Sequence, residues 1–144
     1  QCLRLPRATS IGVLPGEETV FPHIAHPPPA LEQGTNFLLV HPNTCLGCVQ
    51  DCMWWVSFMP LGPDRCINHV GFCFPRATVE RADFEEVAAR YYHRWDLSID
   101  EDNEAGEIQQ QGLESLLFQP GPYSYREPLV YRFARWVLAR VIND

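Results

Sequence analysis

Three cysteines, Cys45, Cys48 and Cys52, fall within eight consecutive positions of the sequence. Thiolates so close together could bind zinc or an iron–sulfur cluster, or could pair as disulfides. A strong zinc pattern needs two Cys pairs, or a Cys pair and a His pair, and no second Cys-x-x-Cys occurs. On a strand, Cys45 and Cys48 would point to opposite faces, because side chains alternate. We therefore expect buried free thiols, with a disulfide or a metal site as alternatives.

An acid-rich stretch, WDLSIDEDNEAGE, offers a second kind of chemistry. If the stretch is helical, a rotation of about 100° per residue places Asp102 on the apolar side of the helix. The residues that share this side are Trp95, Ser98, Ile99, Ala105, Gly106, Gln109, Leu113 and Leu116. The acids that should face water instead are Asp96, Asp100, Glu101, Glu104 and Glu107. A carboxylate on a core face must be protonated, paired, hydrogen-bonded or coordinated. The pattern thus makes Asp102 a candidate ligand in a cavity, with pairing to a buried Arg or Tyr as the alternative.

The residues before this stretch should form an antiparallel sheet. Residues 1–35 are rich in Pro and Gly and are expected to be an irregular lead-in. Short apolar segments separated by polar turns then predict antiparallel strands over residues 36–75, including a hairpin that turns at Gln50 and Asp51. The whole chain is expected to be a single domain of the α+β class.

Two helices should follow the sheet. A long helix is predicted over residues 83–117, with Asp83 as N-cap and Glu86 completing a capping box. A C-terminal helix is predicted over residues 127–142. Its apolar stripe comprises Val130, Tyr131, Ala134, Val137, Leu138 and Val141.

Charge and hydropathy narrow the possible partners. The net charge is −7, and all 11 basic residues are scattered arginines, which argues against nucleic acid and anionic membranes as partners. No apolar run is long enough to span a membrane, and no signal peptide is evident, so a cytoplasmic protein is expected. The first residue is Gln1 rather than Met, which suggests a piece of a longer protein.

Three stretches together resemble a known family, the Rieske non-haem iron oxygenase α subunits, also called aromatic-ring-hydroxylating dioxygenases. The run HPNTCLGCVQDCMWWVSFMPLGPDR is similar to a segment of their catalytic domain, and GPYSYREPLVYRFARWVL is similar to its closing stretch. Between them lies a spaced set of family residues. They are Glu101, Asp102, Glu104, Glu107, Gln110, Gly112 and Ser115. The resemblance covers roughly residues 36–141 and implies a helix-grip, START-like fold, in which a curved antiparallel sheet wraps a long helix.

The resemblance also implies a function. It places Asp102 as the carboxylate of a mononuclear Fe(II) site, a 2-His-1-carboxylate triad that reacts with O2. Electrons would come from NAD(P)H through a reductase, and possibly a ferredoxin, to a Rieske [2Fe-2S] cluster, in a homotrimer. The substrate would be an apolar or aromatic small molecule, although the family also oxidises quaternary amines and steroids.

The lining of a substrate cavity can be proposed from position along the chain. Tyr92, Trp95, Ser98 and Ile99 precede Asp102 on or near its side of the helix. Asn43 and Cys45 are candidates on the sheet. Ordinary core packing is the alternative for each of the six residues.

The sequence departs from the family in its histidines. The family ligates iron with His-x-x-x-x-His, and no pair here has that spacing: His23 and His26 are three apart, and His41, His69 and His93 are isolated. These five are expected to be surface or hydrogen-bonded residues. The motifs of the Rieske domain are also missing, so the chain should correspond to the C-terminal part of a catalytic domain.

A different class of function is also compatible with the sequence. A helix-grip pocket could bind an apolar small molecule without catalysis, with Asp102 as a polar anchor. That alternative needs no iron, whereas the oxygenase hypothesis requires it.

Overall fold

Five antiparallel strands form a single sheet in the computed structural model, which describes residues 2–5, 10–18, 20–29, 32 and 34–142. The strands are β1 (Cys2–Leu5), β2 (Thr35–Val40), β3 (Thr44–Cys48), β4 (Met53–Pro60) and β5 (Cys66–Cys73). They lie side by side in chain order as a meander. The hairpin predicted around Gln50 and Asp51 is present, because Cys48 of β3 pairs with Met53 of β4.

One strand was not expected from the sequence. Strand β1 lies within the lead-in that was predicted to be irregular, and it pairs with β2, where Leu3 lies opposite Phe37. Four residues without a clear period give little local signal. The pairing partner lies more than thirty positions away, so the contact depends on tertiary structure.

Three helices follow the sheet: α1 (Arg76–Val79), α2 (Phe84–Leu113) and α3 (Pro128–Val141). Helix α2 ends four residues before the predicted position, near Gly112, a residue of low helix propensity. Asp83 is the N-cap as predicted, but its side chain makes no capping hydrogen bond. Its carboxylate accepts hydrogen bonds from Arg81 at 2.8 and 2.6 Å instead, so the expected capping box is absent.

The inner face of the sheet packs against the first half of α2. Trp54 and Val56 of β4 are buried with Trp95 of α2, and the Trp54 and Trp95 ring centroids are 4.2 Å apart. Gly47 of β3 lies beneath the Trp54 ring, where an added Cβ would overlap the indole. The architecture is therefore the predicted α+β class, a helix-grip sheet around a long helix.

A second core cluster closes one end of this layer. It consists of Val13, Phe21, Val49, Cys52, Val87, Ala88 and Tyr91. Because Val13 and Phe21 lie between β1 and β2 and Val49 and Cys52 lie in the β3–β4 turn, this cluster connects the lead-in, the hairpin and α2.

Helix α3 uses a different face from the one predicted. The expected stripe is largely exposed, with Leu138 at 54% and Val141 at 70% of full exposure. Instead, Phe133 and Trp136 stack on His41, with ring centroids 5.9 and 4.8 Å away. The periodicity predicted the helix correctly, but it could not identify which face would find a partner.

Of the three clustered cysteines, Cys52 is buried as expected, whereas Cys45 and Cys48 are only half-buried. Cys45 lies on the inner face of β3 and Cys48 on the outer face. The five cysteines whose side chains the structure describes are all free thiols. The side chain of Cys2 is not among those described, so the expectation for this residue stays a prediction. Among the described residues, no helix is long and apolar enough to cross a membrane.

Candidate functional site

A cavity of about 770 Å³ lies between the inner face of the sheet and α2. Its sheet side is mainly aromatic and apolar, because alternation along the strands directs large residues to this face. The strand residues that line the cavity are Leu5, Thr35, Phe37, Cys45, Trp54, Val56, Phe58 and Asn68. Residues 10–17, which lie between β1 and β2, form a further wall of the cavity, apart from Gly12. The cavity is large enough for a small organic molecule.

Helix α2 supplies the opposite wall and the ionisable groups. Trp95, Ser98, Ile99 and Asp102 all line the cavity, as expected if they share one side of the helix. Asp102 also lines a second, adjoining cavity of about 990 Å³. The carboxylate therefore lies where the two cavities meet.

One expectation about the acids needs correction. Asp102 is exposed rather than buried, because α2 extends beyond the part of the sheet that covers it. Glu101 and Glu107 are exposed to water as expected, and in addition Glu101 lines the first cavity and Glu107 the second. An open cavity admits residues from a wider arc of the helix than a close-packed face does.

A hydrogen bond joins the sheet to α2 beside Asp102. The Asn68 side-chain amide donates to Asn103 Oδ1 at 3.1 Å. Asn68 also lines both cavities. This contact fixes the helix relative to β5 next to the candidate carboxylate.

Of the residues that the sequence suggested for the cavity lining, some line the cavity and two do not. Cys45 lines the cavity, and burial raises the pKa of its thiol, so it presents a neutral group. Tyr92 and Asn43 do not line it. The Tyr92 ring packs on Phe72 at 5.1 Å, and burial raises its pKa. Asn43 donates its amide to the Phe58 carbonyl at 2.8 Å, which stabilises the β3–β4 pairing.

The described residues do not by themselves form a metal site. No three His, Cys, Asp or Glu side chains among them come close enough to hold an ion together. His23, His26, His69 and His93 are exposed. His41 packs on α3 with both ring nitrogens buried, and neither nitrogen has a hydrogen-bond partner in the part of the chain that the structure describes. Asp102 is therefore not part of a complete set of metal ligands among the described residues.

A buried hydrogen-bond network was missed by the sequence analysis. Tyr91 Oη donates to Asp51 Oδ2 at 2.7 Å and accepts from the Phe21 backbone N–H at 2.9 Å. Asp51 Oδ1 accepts from the Gly12 backbone N–H at 2.9 Å. Asp51 had been interpreted only as a turn residue. The network holds residues 12–21 against the hairpin and α2, and so positions one wall of the cavity.

Two further groups at the cavity were also missed. Arg94 lines it beside Trp95, with its guanidinium carbon 5.6 Å from the centre of the Trp95 ring. The Trp95 indole N–H is buried and has no hydrogen-bond partner among the described residues. A helical wheel centred on apolar residues gave no reason to select an arginine. The cavity wall on α2 thus carries a cationic group at Arg94 and carboxylates at Glu101 and Asp102.

The sequence matches the family described as ring hydroxylating alpha subunit (catalytic domain) over residues 6–142. With nearly the whole chain matched, it belongs to this family of Rieske oxygenase α-subunit catalytic domains. The observed sheet and helix arrangement agrees with that assignment.

The chain is also similar to curated proteins named glycine betaine monooxygenase oxygenase subunit. It is 27% identical to those of two Pseudomonas aeruginosa strains over 112 residues, which is 77% of this chain and 26% of theirs. It is 29% identical to that of Chromohalobacter salexigens over 96 residues, 67% of this chain and 21% of the relative. The chain therefore spans about a quarter of the length of the curated relatives that it matches.

Proposed function

We propose that the chain forms part of the active site of an oxygenase, in which Asp102 is the carboxylate ligand of a mononuclear non-haem Fe(II) ion. The observation that carries this proposal is the position of Asp102, on the wall of an aromatic cavity and beside a second opening. Family membership supports it, because the family motif falls on the same residue. A carboxylate with an open side can bind a metal while a substrate occupies the neighbouring space.

The two imidazoles of the proposed triad would come from outside the described residues. Asp102 is the member that this part of the chain would supply, and Asn68–Asn103 would hold its helix in place. Bound iron would supply the activation of O2. The remaining task of the chain is to bind the substrate, orient it towards Asp102 and exclude water from the aromatic wall.

The cavity suits an apolar or aromatic substrate, and equally a small quaternary ammonium compound. Trp54, Phe37 and Phe58 offer aromatic surface, which attracts apolar groups and, through its electron-rich faces, cations. Three relatives bear names that refer to glycine betaine, which contains a trimethylammonium group. We therefore favour a small quaternary ammonium substrate over an aromatic hydrocarbon.

The proposal includes the electron chain of the family. Electrons would pass from NAD(P)H through a reductase, and possibly a ferredoxin, to a Rieske [2Fe-2S] cluster and then to the iron. We further propose a homotrimer, in which one subunit's cluster serves the next subunit's iron, located in the cytoplasm.

Oxygen uptake tests the proposed activity. The protein expressed from its complete gene, supplied with a reductase and NAD(P)H, should consume O2 upon addition of glycine betaine, in proportion to the substrate lost. Toluene is the comparison for the aromatic class and should give little uptake. Absence of substrate-dependent uptake with both compounds would contradict the proposed substrate classes.

A second candidate is a pocket protein that binds a small molecule without catalysis. It is favoured by the lack of a three-residue metal cluster among the described residues. It predicts ligand binding that survives complete removal of iron and is never followed by O2 uptake. Substrate-dependent turnover would exclude it.

A further inference from the structure

We propose that Arg90 is a positioning residue that sets the width of the ligand that the cavity accepts, although Arg90 does not itself line the cavity. It acts through its ion pair with Glu17, which lies in the wall formed by residues 10–17. The inference deepens the proposed function, because the class of ligand used to test it rests on that function. The ion pair itself requires no iron.

The middle of this wall has few attachments to the rest of the protein. Leu14, Pro15 and Gly16 all line the cavity. Within the described part of the chain, no hydrogen bond joins these three residues to the sheet or to α2, and they are not part of the two buried core clusters. The residues on either side of the stretch must therefore determine where it lies.

The first end of the stretch is fixed to the β3–β4 hairpin. The Ser10 N–H donates to Gln50 Oε1 at 2.9 Å, and the Ser10 carbonyl accepts from the Gln50 N–H at 2.8 Å. The Gly12 N–H donates to Asp51, and Val13 is buried in a core cluster. None of these contacts involves Arg90, so this end should keep its position when Arg90 is replaced.

The second end of the stretch is held by the ion pair. Arg90 Nη1 donates to Glu17 Oε2 at 3.1 Å, and the two side chains are 34% and 32% exposed. Further along the chain, the Phe21 N–H donates to Tyr91, the next residue of α2. Arg90 therefore ties the wall to α2 at the point nearest to the unattached stretch.

The position of this end determines the width of the cavity. The wall and α2 both line the cavity, and Arg94 and Trp95 on α2 follow Arg90 by about one helical turn. Loss of the ion pair should let the wall move away from α2 and widen the space between them. A partly exposed ion pair contributes little to overall stability, so the protein should still fold without it.

Two cations of equal charge and different width provide the test. Tetramethylammonium and tetrapropylammonium would be titrated by calorimetry into the protein expressed from its complete gene, without reductant, so that no turnover occurs. A change of charge beside the cavity affects both cations alike, so the ratio of their dissociation constants reports the width.

Three variants separate the ion pair from general effects of substitution. Arg90→Gln removes the pair. The double variant Glu17→Arg with Arg90→Glu restores it with the charges exchanged. Arg76→Gln is the matched control, because it removes an equal charge and breaks the pair with Glu80, and neither of these residues lines the cavity.

Arg90→Gln is expected to shift the ratio of dissociation constants by about threefold in favour of tetrapropylammonium. The double variant and Arg76→Gln should both keep the wild-type ratio. The proposal is overturned if folded Arg90→Gln keeps the wild-type ratio, if the double variant does not restore it, or if the wild type binds neither cation. A shifted ratio in a protein that binds no mononuclear iron would refute the proposed function and leave the role of Arg90 standing.

Discussion

At the residue scale, the sequence could indicate which side of a helix a side chain occupies, but not how exposed that side chain is to solvent. The helical period correctly placed Asp102 on the same side as Trp95, Ser98 and Ile99. It could not show that Asp102 is exposed, because exposure depends on how far the sheet extends over α2. The buried pair of Asp51 and Tyr91 was missed for a related reason. Their contact joins residues forty positions apart, and no local pattern encodes it.

Replacement of Tyr91 tests the buried network. Tyr91→Phe removes the hydroxyl that bonds both Asp51 and the Phe21 N–H, and leaves these buried groups short of a partner. The free energy of unfolding should fall by about 1–3 kcal/mol in urea denaturation. Tyr92→Phe is the matched control, because the Tyr92 hydroxyl forms no hydrogen bond with the described residues, and it should change the value by less than about 0.5 kcal/mol. Equal effects of the two changes would show that the network does not stabilise the fold.

Buried neutral groups predict loss of stability at alkaline pH. Burial, with a smaller effect from Asp51, raises the pKa of both the Cys52 thiol and the Tyr91 phenol. In the unfolded chain these groups ionise near pH 8.5 and 10, whereas in the folded protein they stay protonated at higher pH. The two groups therefore contribute fully to the free energy of unfolding below about pH 8.5, and this contribution is lost as pH rises. Above the pKa that each group has in the unfolded chain, the free energy of unfolding falls by about 1.4 kcal/mol per pH unit for each group.

Cys52→Ala isolates the thiol in this pH dependence. Unfolding free energies measured by urea denaturation from pH 8 to 10 should fall less steeply in Cys52→Ala than in the wild type. Cys73→Ala, at an exposed position, should keep the wild-type slope. The same slope in all three proteins would contradict the assigned role of Cys52.

At the element scale, strands with local signals were predictable and contacts between distant segments were not. Strands β2 to β5 and the two long helices follow from apolar segments, polar turns and helical periodicity. Strand β1 and the contact face of α3 do not, because each is determined by a partner far along the chain. For α3 the deciding contact is the stack of His41 on Trp136, which an isolated helical wheel cannot reveal.

Two glycines provide a test of how closely these elements approach. Gly47→Ala should destabilise the protein by about 1–3 kcal/mol, because the new methyl group would overlap the Trp54 ring and force the sheet to shift. Gly106→Ala in α2 meets no atom within 4 Å and should stabilise the helix by about 0.5–1 kcal/mol. Thermal denaturation of both variants measures the effects. Gly47→Ala with wild-type stability would mean that Trp54 does not cover β3 as described.

At the scale of the whole molecule, the buried core and the candidate functional site lie in the same region. The buried core comes from the sheet, the segment of residues 10–21 and the first half of α2, and the cavity adjoins that core. The rest of α2, the segment that follows it and helix α3 expose many large apolar side chains, including Leu116 and Leu117 in that segment. The packed region around Trp95 thus adjoins a cavity whose lining includes the exposed residue Asp102. This arrangement suits a site that must hold a substrate firmly and leave space beside a carboxylate.

The most direct test of the central claim is the mononuclear iron content of Asp102→Ala in the protein expressed from its complete gene. The account predicts loss of the mononuclear iron, while the visible absorption of the Rieske cluster stays unchanged. Asp100→Ala, which removes an exposed acid two positions away, should retain the iron. Full mononuclear iron in Asp102→Ala would show that another residue is the ligand and would contradict the account.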